Sequence, residues 1–408
     1  MEKMSETVAG SEYQSLHHML SESSWDRGGV RRQLVADANA HFGHPSALVI
    51  DESAIAKKGD KSAGVARQWN GRLGKTDNSQ VGVFAAVTRG RLAALVDGEL
   101  FVPESWFDDP ERCREAGMPE GLEFRTKGEM ALDMIYRLRR EGLHFAYTAF
   151  DAGYGHLPWL LRALDDGQEI FLAEVHSDQT IYLADPAPAV PQRQSTRGNA
   201  PSRLQAQVAP LTVTAWAAAQ PASRWRRLAV REGEKGDVVA DYLTGRVWLW
   251  DGEEKRARCW HLLVRREIDG SKLKFCLSNT KPAASLRRLA EMQTARHFVE
   301  RAFEDAKGAC GMAGYQVRGW QAWHHHMALV MVALMFLAKE RMACRESAGL
   351  LSCNDLVEIM RHKLPCKIET DADLVVSIEA RHRRRQHARN FAYEKQSVTL
   401  SASKRNEI

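Results

Sequence analysis

No apolar run in this 408-residue chain reaches the ~20 residues that a membrane-spanning helix needs. The longest, MALVMVALMFLA at 327–338, reads as a buried helix, and the polar opening MEKMSETVAGSEYQ does not read as a signal peptide. Seven cysteines are scattered, odd in number, and never spaced as Cys-x-x-Cys, which argues against a structural zinc site and for a reducing cytosol. No internal repeat occurs. A large net charge is missing too: the balance is +5 with a pI near 8.8, so the distribution of charge matters more than its total.

The length permits a full hydrophobic core and two or three structural units. Charge is concentrated in two places. Lys57, Lys58, Lys61, Arg67, Arg72 and Lys75 face the single acid Asp60, and RHRRRQHAR spans 381–389. Each run reads either as a phosphate-binding surface or as a solvated basic segment. The triplet His324–His326 is no metal site, because consecutive helical residues diverge by about 100° and cannot share an ion. Packing or DNA contact is the expectation for it.

Along the chain, residues 1–43 read as a helical lead-in, with Leu16, Met19, Leu20, Val30 and Leu34 at helical intervals. ALVID at 47–51 is a short apolar run of the kind buried strands show, and two further strands follow, separated by a turn at Arg89 and Gly90. A helix is expected over 127–140, a strand at 145–151, a helix near 156–166, and a strand at EIFLAEV. A Pro-, Ser- and Gly-rich connection at 184–203 then introduces a β-rich stretch, so 176–280 reads as an insertion within an α/β domain whose parts are 44–175 and 281–342. Residues 343–408 form a basic C-terminal region.

Two strands expected to be buried end in aspartates, Asp51 and Asp151. Such acids are turn or cap residues, or else they share a metal ion that offsets the cost of burial. A third acid lies in RHFVERAFEDAKG at 296–308. At 100° per residue, Arg296, Glu300 and Lys307 fall within an arc of about 40° beside the apolar stripe, while Arg301, Glu304 and Asp305 point further towards solvent. Glu300 reads either as a surface ion pair with Arg296 or as a metal ligand. Three such oxygen donors would suit Mg²⁺ or Mn²⁺.

Taken together, LVIDESAIAKKGDKSAGVARQWNGRLGKTDNSQVGVF, AFDAGYG and RHFVERAFEDAKG resemble the DDE transposases of bacterial insertion sequences, in the branch whose RNase H-like domain carries a β-rich insertion. The resemblance runs from about residue 14 onward. It implies an α/β, RNase H-like catalytic domain with a helical C-terminal region, and a triad of Asp51, Asp151 and Glu300 binding Mg²⁺ or Mn²⁺, with Glu304 as reserve. Arg296 and Lys307 are then neighbours that grip DNA phosphate. It further implies strand cleavage and strand transfer in cut-and-paste movement, double-stranded DNA (element ends and target) as partner, a homodimer on DNA, no membrane, and the bacterial cytosol.

The sequence departs from the family at Gln293, which stands where relatives carry tyrosine, and in a helical N-terminal region that is expected to be missing. That shortening favours a rival reading, a catalytically impaired, N-terminally truncated transposase-derived DNA-binding protein; the intact acid triad opposes it. A host RNase H-like nuclease is a third reading. Trp248, Trp250 and Trp260 read as core residues or as platforms for an extruded base.

Overall fold

The computed structural model describes residues 2–43, 46–192, 201–233, 236–270, 272–344, 351–364 and 370–405. They form two units, Met1–Ser24 with Asp355–Ile408, and Trp25–Asn354. In chain order the elements begin with α1 (Glu2–Thr7), α2 (Tyr13–Ser21), α3 (Arg27–His41), β1 (Ala47–Ala56), β2 (Ala66–Asn70), β3 (Lys75–Arg89), β4 (Leu92–Phe101) and α4 (Pro110–Glu115). Next come α5 (Lys127–Arg140), β5 (Tyr147–Phe150), α6 (Ala152–Gly155), α7 (Pro158–Asp166), β6 (Phe171–Val175), β7 (Thr180–Ile181), β8 (Leu211–Thr212) and α8 (Val213–Ala218). The chain continues through β9 (Arg226–Gly233), β10 (Gly236–Leu249), β11 (Arg258–Arg266), β12 (Leu273–Ser278), α9 (Leu286–Gly308), α10 (Trp320–Ala343), α11 (Cys353–Lys363) and α12 (Asp371–Arg405).

The larger unit is built on a ten-stranded mixed sheet ordered β2-β3-β1-β5-β6-β12-β11-β10-β9, with β4 also paired to β3. β1 runs antiparallel to β3 and parallel to β5, and β5 runs parallel to β6. Parallel neighbours must be covered on both faces, which explains why ALVI of β1 and all of β5 are buried with no polar alternation. β9–β12, which lie in the stretch read as an insertion, extend the same sheet: β12 pairs antiparallel with β6. α10 packs on both α3 and α9, and α5 packs with α7 as a second group. α9 crosses β1, β3, β4, β5 and β6 and continues over β9–β11.

Local chemistry accounts for the helix limits. α5 starts at a capping box in which Thr126 accepts from the Glu129 N–H while the Glu129 carboxylate accepts from the Thr126 N–H. α9 starts at Ser285, whose hydroxyl accepts from Arg288 N–H. Gly155 ends α6 where a Cβ would stand 1.8 Å from the Glu174 carbonyl oxygen, so only glycine lets α6 lie against β6.

The expected buried helix at 327–338 is α10, with one correction. Leu329, Val332 and Phe336 are 38%, 44% and 40% exposed, an open stripe along an otherwise buried helix. No helix among the described residues is long and apolar enough to cross a membrane. In the smaller unit the basic run 381–389 lies on α12, where Arg384 pairs with Glu6 at 2.7 Å.

Candidate active site

β-Sheet register brings the two aspartates level. Val49 pairs with Ala149 across β1 and β5, so Asp51, two residues further, stands beside Asp151. Phe150 pairs with Ala173 across β5 and β6, which places Glu174 level with Asp151 on the next strand. Three acids therefore form one row where the parallel pairing of β1, β5 and β6 runs out. Asp51 does not end its strand as expected from the sequence but lies midway along β1, which continues to Ala56 through its pairing with β3. Glu174 is the member the sequence reading missed; the signal was an acid inside a short apolar strand, FLAEV.

Asp151 caps a helix and also faces an arginine. Its Oδ1 caps α6, accepting from the Gly153 and Tyr154 N–H groups at 2.9 and 3.3 Å. Its Oδ2 lies 3.9 Å from Arg296 Nη2. Asp51 is 9% exposed and accepts from the Glu52 N–H at 2.8 Å. Burial, and then the nearby Asp151 charge, push its carboxyl up to about 7, against the opposing pull of Arg296.

α9 delivers Arg296 into this row. Its Nη1 lies 3.5 Å from Glu174 Oε2 and 3.5 Å from Glu300 Oε1. Burial works against the guanidinium charge, and Asp51, Glu174, Asp151 and Glu300 outweigh it, raising the Arg296 pKa. Lys274 steadies Glu174 from the far side at 3.1 Å. Glu300 also meets His297 Nδ1 at 3.9 Å and is 52% exposed, while Glu304 is 70% exposed and faces Arg301. Asp305 departs from the expected solvent position: its side chain is 14% exposed and accepts from Cys353 Sγ at 3.3 Å.

Lys307 is half-buried beside the Phe303 ring, and burial, helped by Arg72 and opposed by Asp51 and Glu304, lowers its pKa. Gln293 does not replace a surface contact. It is buried, with Nε2 donating to Cys276 Sγ at 3.3 Å. Next to the row, Glu52 pairs with Lys127, and the Tyr154 hydroxyl is buried without a hydrogen-bond partner among the described residues.

The basic segment divides. Lys57 folds inward, donating to the Tyr315 carbonyl at 3.2 Å with its ammonium 3.4 Å from the Tyr315 ring centre, and burial lowers its pKa to about 8. Lys61 pairs with Glu115 at 3.0 Å and Lys75 with Asp77 at 3.1 Å. Lys58, Arg67 and Arg72 are exposed. The histidine triplet packs: His324 is hydrogen-bonded to the Trp320 carbonyl, His325 stacks on Trp25 at 4.0 Å, and His326 bonds the Gly311 carbonyl. Trp260 is buried edge-on to Phe171, and Trp250 donates to the Glu254 carbonyl at 2.7 Å.

Among the described residues, no group of three or more His, Cys, Asp or Glu is arranged to hold a metal ion. The acids are gathered around a guanidinium instead. Their chemistry nevertheless fits a hard divalent cation, since Asp51 and Asp151 are both carboxylate oxygen donors on neighbouring strands.

A family model described as DDE superfamily endonuclease matches residues 1–237. The chain is 35% identical over 143 residues to a probable transposase for insertion sequence element IS701 of Microchaete diplosiphon; the match spans 35% of this chain and 35% of that protein. A solved structure of the piggyBac transposase synaptic complex with hairpin DNA is similar at a TM-score of 0.39 and 10% identity, covering 77% of this chain and 51% of that one.

Proposed function

We propose, from the premise that the chain belongs to the DDE superfamily of endonucleases, that it is a DNA transposase that cuts and rejoins strands at Asp51, Asp151 and Glu300. The observation that supports this most is that Asp151 and Glu300 meet at the Arg296 guanidinium, with Asp51 level with Asp151 on the neighbouring strand and close enough for its charge to act on Arg296, although these residues are far apart in sequence. The catalytic core is assigned to 44–175 and 281–342, with 176–280 as the insertion.

Asp51, Asp151 and Glu300 would hold Mg²⁺ or Mn²⁺. Bound there, such ions lower the pKa of an attacking water and stabilise the leaving 3′ oxygen. The protein's own residues align the strand. Asp151 is fixed by two backbone N–H groups, Asp51 by one, and Glu174 holds Arg296 so that its guanidinium stays inside the row. Lys307, close enough to Asp51 and Arg72 to sense both charges, faces the strand's phosphates. A second transfer, with the freed 3′ hydroxyl as attacker, requires no protein nucleophile, and the reading includes cut-and-paste movement by a homodimer that holds two ends.

The decisive experiment is strand cleavage of the element's own ends by the full chain, with Mg²⁺ or Mn²⁺ and with EDTA. Metal-dependent nicking at the ends supports the reading. DNA binding without cutting under every metal condition rejects it in favour of the impaired DNA-binding protein.

A further inference from the structure

Trp69 is 63% exposed in β2, whereas Trp106, Trp216, Trp260, Trp320 and Trp323 are at most 9% exposed. Leaving an indole in water forfeits one of the largest apolar burials a side chain can make, so its position calls for a contact outside the chain. Its surroundings name the kind of contact. Arg67, two residues earlier on the same strand, shares its face, and Arg72 follows in the turn before β3. Asn78, opposite Arg67, donates to the Lys57 and Gly59 carbonyls and so ties the loop bearing Lys58 to the same hairpin.

The hairpin itself is firmly built. Asn70 is 1% exposed and donates to Ser79 Oγ at 3.0 Å, and Gln68 donates to the Ser79 carbonyl at 3.0 Å. Trp69 pairs with Thr76 across the ladder. Its turn lies close enough to α9 for the Arg72 charge to act on Lys307.

We propose that Trp69 is a stacking platform for an unpaired or unstacked base of the bound DNA, presented by a hairpin whose Lys58, Arg67 and Arg72 engage the flanking phosphates. The inference rests on the DNA-cutting reading above and adds a substrate contact to it. An aromatic face accepts any base, and the adjoining cations match a polyanion. The same cations disfavour a second copy of this face, since a two-fold pairing would set like charges against each other.

The test compares binding of the full chain, without divalent metal, to two labelled duplexes of one sequence, one fully paired and one with a single-nucleotide bulge. The wild type is expected to favour the bulge by about five- to a hundredfold, the range one base–aromatic stack supplies. Trp69→Ala should bring the ratio near one, Trp69→Phe should retain most of it, and neither should alter the salt dependence or the melting temperature. A bulge preference that survives Trp69→Ala, or a wild type that does not discriminate, overturns the proposal while leaving the DNA reading intact. Loss of a dimer on Trp69→Ala, with bulge preference unchanged, overturns it in favour of a second copy. A wild type that binds neither duplex rejects both readings.

Discussion

Glu174 and Asp151 share one guanidinium: Arg296 Nη1 lies 3.5 Å from Glu174 and Nη2 lies 3.9 Å from Asp151. Glu174 thus sets where the central cation of the row sits without being one of the three proposed metal-binding acids. Glu174→Gln is expected to slow single-turnover cleavage about ten- to a hundredfold, the scale of a small misplacement in a preorganised site. DNA affinity should stay within about twofold. A variant that cuts at the wild-type rate would show that the Arg296 position is set elsewhere.

Asp51→Asn, Asp151→Asn and Glu300→Gln each remove a charge while keeping the shape. Each should cost several kcal/mol of barrier, more than about a hundredfold in rate, with binding preserved. Glu304→Gln, on an outward and 70% exposed side chain, should cut normally. The reverse pattern between Glu300 and Glu304 would reassign the helical acid.

The basic hairpin should contribute affinity without selectivity. Lys58→Ala combined with Arg67→Ala is expected to reduce the log–log salt slope by about 0.9 for each phosphate no longer neutralised, equally for any duplex sequence. Lys57→Ala should behave differently, since Lys57 is tied to Tyr315: its main effect is a lower melting temperature. An unchanged slope in the double variant would remove this edge from the DNA-binding surface.

Acid stability should report His324. Burial, and next Arg27, depress its pKa to about 3, with the Trp320 carbonyl and Glu99 opposing them; it is held neutral with Nδ1 bonded to the Trp320 carbonyl and Nε2 accepting from the Leu100 N–H. The unfolded chain binds this proton below its ordinary pKa near 6.5 and the folded chain does not until about 3. Stability therefore falls as pH drops through that window, by up to about 1.4 kcal/mol per unit from this group. His324→Asn should flatten the acid limb of a denaturation-against-pH series by that amount; an unaltered limb would show that His324 is protonated in the fold.

Much of this architecture is written locally. The apolar run of β1, the capping box of α5 and the period of α9 each depend on neighbours in sequence, so the acids that follow the apolar runs and the arc of Arg296, Glu300 and Lys307 were legible without the fold, whereas the continuation of β1 past Asp51 to Ala56 was not. What the chain could not disclose is whatever depends on strand register and on packing between distant segments. Register made Glu174 a third acid in the row, and it is set by pairing between β5 and β6. Packing drew Lys57 onto Tyr315, 258 residues away, set Asp305 against Cys353, and left Trp69 outside. Composition marks a residue as basic, acidic or aromatic, but whether it faces core, partner or water is decided by contacts that form only when remote strands and helices close around the sheet.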